Sequence, residues 1–394
     1  MRTTVITSIF LAASAVHAQP RPHKDNQAIY VLTNNPENAV IGLPIQRNGR
    51  LGEPVATLTG GIGEPGVDSD GVPAGPDSLF SQGAVTVAGE YVFAVNPGDN
   101  TVSQLKVNAH APSKLTLVDT AKIPGEFPNS VAATSKGNLV CVGTTGAEAG
   151  VSCTTFSEHG LGDFDALRPF DLNQSTPAVG PPNTLSHVLF NTDSTALYAL
   201  VKGDGTPENP GFIAVYPVRF GCKPETAASV SREGIRSSPA GTSVLFGAAI
   251  VPSSGLLFAT DPGFGVAILE IDTETHIATS RANIEIPNQS ATCWAAYSPK
   301  ASSVFVTDVA VNRLVEVDAV DGQILSIANL PNKDPGLTDL WVVDEFVYAL
   351  SPGNGTTDAA VVVFDFQRDV QVQRVSLKHL GAGPSVVGVA YIEI

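Results

Sequence analysis

Seven times along the chain a short apolar run, headed by an aromatic residue or a cysteine, gives way to a small polar turn. The runs start at Tyr30 (YVLTNNPEN), Phe93 (FAVNPGDN), Cys141 (CVGTTGAE), Tyr198 (YALVKGDG), Phe258 (FATDPGFG), Phe305 (FVTDVAVN) and Tyr348 (YALSPGNG). Three positions on, the residue is polar in six of them: Thr33, Asn96, Thr144, Asp261, Asp308 and Ser351, with Val201 the exception. Each run reads as a strand with a short apolar strand before it and two alternating strands after it, divided by Gly, Pro, Ser and Asp turns. Spacings of 43 to 63 residues suit radial repeats of four-stranded units. The first unit lacks a preceding strand, and one orphan apolar run, SVVGVAYIEI (385–394), follows the seventh. Pairing the two within one unit closes the ring and removes its sheet edges. The pattern therefore predicts an all-β, seven-bladed β-propeller of four-stranded antiparallel blades, as one domain over 19–394. A pair of β-sandwiches fits the even, linker-free spacing less well.

Composition sharpens this picture at a few points. With 37 Gly, 29 Pro and 15% charged residues, the chain is rich in turns and buried strands. Its longest irregular stretch, 59–78, is expected to be a surface loop over one face of the ring, a length that is often functional. Residues 1–18 read as a signal peptide: Arg2, an apolar run from Val5 to Val16, and a small-residue cleavage site at Ala18. That run is too short to span a membrane. The expected location is the secretory pathway, either outside the cell or in a vesicular compartment. Sequons at Asn173, Asn288 and Asn354 fall in expected loops and are candidate glycosylation sites. Cys141 and Cys153 lie on successive strands of the third blade across a turn near Ala147, and are expected to form a disulfide. Cys222 and Cys293 belong to different blades, and their state stays open; Cys293 reads as a buried thiol. A net charge of −16 with no basic stripe argues against nucleic acid as a partner.

Candidate chemistry follows from projecting the repeat onto a ring. The first residues of the innermost strands converge on one channel mouth: Gln82, Asn129, Ser130, Ser186, His187, Phe246, Trp294, Asp339 and Ser385. Asn96, Lys202, Asp204, Asp261 and Asp308 would rim that mouth. His187 is the one histidine among the inner-strand positions and so the leading proton-transfer candidate. With Asp339 and Asn129 it makes the expected catalytic set, and Gln82, Phe246 and Trp294 the expected substrate wall. On that reading Trp294→Ala would cost more turnover than stability. Asp261 and Asp308 occupy equivalent turns, where capping is favoured over calcium binding. No nucleophile elbow, phosphate loop, dinucleotide fingerprint or zinc pattern occurs, so neither a metal nor a cofactor is expected.

Several segments carry a resemblance: IPGEFPNSVAAT, NLVCVGTTGAEAGVSC, LRPFDLNQSTP, SSPAGTSVLFG, ATCWAAYSP, TDVAVNRLVEV and YALSPGNGTTDAAVVVFD. Across nearly the whole mature chain they are similar to fungal secreted 3-carboxymuconate-cyclase-like proteins of the lactonase-type propeller group. Lactonising members carry a Pro-His-x-His element; this chain has Pro182-Asn183-Thr184-Leu185-Ser186-His187 at the corresponding place. Related fungal proteins act as hetero-Diels–Alderases, joining a tropolone-derived quinone methide to a humulene-type sesquiterpene. The resemblance thus implies a cyclase of natural-product biosynthesis acting on an apolar or aromatic small molecule. Its alternatives are a muconate-type cycloisomerase or lactonase, and a secreted binding glycoprotein without catalysis. Cycloaddition demands only two partners held in near-attack geometry with a hydrogen-bond donor, which suits a chain without an evident acid–base constellation.

Overall fold

A computed structural model describes residues 26–221 and 228–394. The expected signal peptide and Cys222 lie outside the described residues. Seven antiparallel sheets form the ring, each taken below from the channel outward. Blade 1 is Val387–Glu393, Gln27–Leu32, Ala39–Pro44 and Val55–Leu58. Blade 2 runs from Val85–Ala88 to Leu115–Lys122, and blade 3 from Pro128–Thr134 through Leu139–Thr144 to Gly150–Ser157. Blade 4 contains Leu185–Phe190, Ala196–Lys202 and Gly211–Arg219; blade 5 spans Ala248–Val251 to Ala278–Glu285. Blade 6 spans Thr292–Ser298 to Ile324–Asn329, and blade 7 spans Leu340–Val343 to Val370–Ser376. Blades 3 and 4 depart from the regular plan. Two short strands share the outer position in each: Gly160–Leu161 with Arg168–Pro169, and Ser229–Val230 with Ile235–Ser237. The buried Arg168 guanidinium braces that region, bonding Asp165 at 2.6 Å and the carbonyls of Val230 and Ser231.

The repeated runs are the second strands of their blades, and each such strand is buried from end to end, save for the half-buried Gln27 that opens the one in blade 1. A strand flanked by two sheet neighbours and covered by blades on both faces must be apolar throughout, which is why these runs stand out in the sequence. Their leading side chains reach to the next blade. Tyr30 donates its hydroxyl to the Pro112 carbonyl in blade 2 at 2.6 Å, and Tyr348 donates to Gly49 in blade 1 at 2.7 Å. Phe93 meets Phe156 of blade 3 edge-on at 4.9 Å, and Phe305 meets Phe366 at the edge of blade 7 at 5.1 Å. The core is accordingly a series of apolar layers between neighbouring blades, such as Ile29, Leu43, Tyr348 and Val363 between blades 7 and 1. Burial of such side chains contributes roughly 1.5–3 kcal/mol each.

The C-terminal strand takes the innermost place of blade 1, pairing Gln27 with Glu393, Ile29 with Tyr391 and Tyr30 with Ala390. Cys141 and Cys153 sit opposite one another in the register of blade 3 and are disulfide-bonded, with Cα atoms 4.1 Å apart. That separation matches the closer of the two kinds of antiparallel pair. Cys293 is a free, buried thiol that burial holds protonated.

Two outcomes are expected. Removing residues 385–394 strips blade 1 of its inner strand, so the truncated protein should aggregate or fail to be recovered as a folded species. A truncated protein melting at the parent temperature would contradict the closure. Peptide mapping without reductant should recover Cys141 linked to Cys153, and two free thiols there would contradict the bridge.

Candidate functional site

Inner strands present one unpaired backbone edge to the channel, and those polar groups must find partners or water. At the mouth where these strands begin, the partner is the chain itself. The connection between blades 1 and 2 turns inward, and Leu79, Phe80, Ser81 and Gln82 lie buried in the channel. Ser81 donates its hydroxyl to the Asn129 carbonyl at 2.6 Å, and Trp294 donates its indole N–H to Ser81 at 3.1 Å. The Gln82 amide N–H bonds the Ser186 carbonyl at 2.9 Å, and the Val131 N–H bonds the Gly83 carbonyl at 2.8 Å. The Gln82 side chain crosses to blade 6, donating to the Ala295 carbonyl at 2.9 Å and accepting its N–H at 3.3 Å. Inner strands of blades 3, 4 and 6 shift register across Asn129, Ser186 and Cys293. Such bulges re-aim backbone groups; here the Asn129 and Ser186 carbonyls accept from the plug, while the Cys293 carbonyl accepts from Gly247 and Thr260. The plug is also clamped by charge. Buried Lys202 donates to the Phe80 carbonyl and lies 4.3 Å from the Phe246 ring centroid. Phe80 has φ of 57°, a left-handed conformation costly for a bulky side chain. Burial raises the Asp77 carboxyl and lowers the Lys202 ammonium, and their mutual attraction opposes both shifts.

The mouth formed by the starts of the inner strands, where the candidate site was expected, is thus filled by the chain itself. The channel opens instead at the far ends of these strands, as a cavity of about 470 Å³ reaching Thr134, Asn191, Ser194 and Pro299. Its floor is Gln82, Gly83, His187 and Asp339, and its walls include Val131, Ala132, Leu189, Ala249 and Ala296. Phe190, Tyr297 and Trp341 add aromatic surface. Of the residues expected to converge, Gln82, His187 and Asp339 do line the cavity. Asn129, Phe246 and Trp294 lie beyond the plug, where Asn129 bonds Leu79 and Leu185 and the Phe246 and Trp294 rings pack edge to face at 5.0 Å. Ser130 and Ser186 are likewise structural, bonding Gln82 and Leu245, and Ser385 bonds Thr33. Asp261 accepts backbone N–H groups from Ser243, Val244 and Gly263, and Asp308 from Ser290, Ala291 and Ala310, so both cap turns. Asn96 is buried among Asn38, Thr59, Thr101 and Ser103, and Asp204 caps an exposed turn at Thr206. The sequons Asn173, Asn288 and Asn354 are exposed and sit in connections.

Two floor groups carry the electrostatics. His187 is buried with Nδ1 unpartnered, and burial lowers its pKa to about 3, so the imidazole is neutral. A donor left unpaired is rarer than an acceptor, which places the proton on Nε2, beside Gly83. Asp339 accepts N–H groups from Leu340 and Val389, each at 2.9 Å. Burial nevertheless outweighs these bonds and pushes its carboxyl up to about 7. The Gln82 side chain is held in place by Ala295, bonded once at its amide nitrogen and once at its oxygen. The residue that sequence reasoning missed is Trp341, 41% exposed on the cavity wall.

No family model matches the chain, and no curated protein sequence matches it. Solved structures do. A Bacteroides fragilis protein named as a candidate 6-phosphogluconolactonase superposes with a TM-score of 0.60 at 12% identity, over 95% of this chain and all of its own. The two share a fold. A chain of a nidogen/laminin complex aligns over 93% of this chain and 98% of its own at 9% identity, with a TM-score of 0.47.

Substitutions at the plug check this geometry. A Cβ on Gly247 would stand 2.1 Å from Gln82 Oε1 and 2.5 Å from the Cys293 carbonyl oxygen. Gly247→Ala should therefore destabilise the protein by about 1–3 kcal/mol in denaturant titration. Trp294→Ala, now a core substitution, should cost about 3–5 kcal/mol. A Trp294→Ala protein with unchanged stability but lost ligand binding would return Trp294 to the cavity wall.

Proposed function

We propose that the protein is a cyclase of natural-product biosynthesis, joining two apolar partners inside the propeller channel. The observation that carries this reading is a largely apolar-walled cavity with Thr134, Asn191 and Ser194 at its rim and, on its floor, a neutral imidazole and a carboxyl protonated up to about pH 7. A volume of about 470 Å³ falls in the range of small-molecule sites. Among the described residues no lysine or arginine lines it. A phosphorylated sugar lactone would find no cation there, whereas an uncharged substrate meets no unpaired charge.

The reaction that fits is the hetero-Diels–Alder addition of a tropolone-derived quinone methide to a humulene-type alkene. The oxygen and exocyclic carbon of the quinone methide bond to the two alkene carbons in one step. No proton is consumed and no leaving group departs. The protein's part is to hold both partners at bonding distance and to donate a hydrogen bond to the quinone methide oxygen, lowering the energy of its acceptor orbital. Protonated Asp339 and the His187 Nε2–H are the donors assigned to that role. The remnant Pro182-Asn183-Thr184-Leu185-Ser186-His187 lacks the second histidine of lactonising relatives, which disfavours that alternative.

Product formation from a purified tropolone precursor and a humulene-derived alkene, compared with the protein-free reaction, tests the proposal. The protein should raise the rate and fix the stereochemistry. Turnover should fall as pH rises through about 7, because Asp339 donates only when protonated. Asp339→Ala should flatten that profile. His187→Ala should slow addition about tenfold, since it removes one donor from partial charge. Unchanged rate and unchanged stereochemistry would overturn the cycloaddition reading.

A further inference from the structure

The inner-strand position opposite each repeated aromatic or cysteine forms a belt around the channel: Ala390, Thr86, Ala132, Leu189, Ala249, Ala296 and Trp341. Six of the seven are small or medium, and five of these, Thr86, Ala132, Leu189, Ala249 and Ala296, line the cavity. Only blade 7 places a large aromatic there, and it is left 41% exposed. An exposed tryptophan on an otherwise closed inner strand is unusual enough to ask what covers it.

Its surroundings are built. Leu350 donates its N–H to the Asp339 carbonyl at 2.9 Å, so Asp339 continues the ladder of the Leu340–Val343 strand. Leu340 and Val342 turn into the layer shared with blade 6. Asp339 and Trp341 therefore project from the opposite face, one strand repeat apart, roughly 7 Å. Both meet the closing C-terminal strand: Val389 donates to Asp339 Oδ2 at 2.9 Å, and the Tyr391 ring stacks on Trp341 at 6.3 Å with a 25° interplanar angle. One face of the indole is backed, and the Trp341 side chain lines the cavity.

We propose that Trp341, held by Tyr391, is a stacking platform for a planar conjugated carbonyl compound, whose ring lies on the indole while its oxygen reaches Asp339. This rests on the cavity being the ligand site, as proposed above, and names the class of ligand and the residue that selects it. A flat ring gains dispersion and quadrupole contact over the indole that a puckered ring of equal size does not. The spacing of platform and acid then fixes which way the ring's oxygen points.

Calorimetric titration of the full chain with tropolone and with cycloheptanone, a puckered seven-membered ketone, tests this without requiring turnover. The intact protein should bind tropolone about fivefold to tenfold more tightly than cycloheptanone. Trp341→Ala should lose that preference by weakening tropolone alone, and Trp341→Phe should keep part of it. Trp341 is substantially exposed, and thermal melting of each variant reports whether folding is intact. Equal affinity for the two ketones in the parent, or tropolone binding unchanged in a folded Trp341→Ala variant, would overturn the inference even if cycloaddition is catalysed. Selective tropolone binding with no effect on the cycloaddition would sustain the platform and overturn the proposed reaction instead.

Discussion

A ring of seven blades stands or falls on the pairing between its last strand and its first. Each apolar layer lies between two neighbouring blades, so an open ring would leave the blades on either side of the gap with one face uncovered. The strand Val387–Glu393 supplies that completion by taking the inner place beside Gln27–Leu32. The same strand also shapes the cavity. Its Val389 N–H fixes the Asp339 carboxylate and its Tyr391 ring backs Trp341. Closure of the fold and orientation of the candidate acid are thus one set of contacts, and a loosened seam would disturb both.

The second constraint is the row of backbone groups that inner strands turn toward the axis. Water could satisfy them, which would give a wet, polar channel. Here the blade 1–2 connection satisfies them at one end, through Ser81, Gln82 and Gly83. That arrangement costs a strained Phe80 and a buried ammonium, offset by hydrogen bonds that span blades 3, 4 and 6. Its return is a closed floor beneath an apolar chamber. Burial there holds the imidazole neutral and keeps the carboxyl protonated up to about pH 7.

How much of this was readable follows from which side chains are constrained twice. The repeated second strands are covered on both faces, so their apolar runs, their register and the opposition of Cys141 to Cys153 could be read directly. The closing strand was readable because an unpaired apolar run at one end matched a missing strand at the other. The choice of mouth was not, because it depends on hydrogen bonds between the irregular 59–84 stretch and strands far away in sequence. The two tryptophans show the difference. Both sit on inner strands, but Trp294 follows a bulge and faces Phe246 and the plug, while Trp341 faces the cavity. Register, not residue type, separates them. Aligning the inner strands on the repeated aromatics would have exposed Trp341 as the odd member of a belt of small residues.

A chamber with uncharged polar groups favours chemistry in which charge never fully develops. Hydrolysis of a lactone passes through an oxyanion and calls for a poised base and a cluster of donors. In this floor the Gln82 side chain is tied to Ala295, and each Asp339 oxygen already accepts a backbone N–H. The floor offers an imidazole N–H and, below about pH 7, an acid proton, beneath a wall of mostly alkyl and aromatic surface. Such a site can align and mildly polarise a neutral molecule, and it can exclude water from a reactive one. A quinone methide is quenched by water, so apolar walls that shed water around a bound pair would protect it as well as orient it. The apolar walls and the proposed addition are therefore linked by a single requirement, that the acceptor reach its alkene before it reaches solvent.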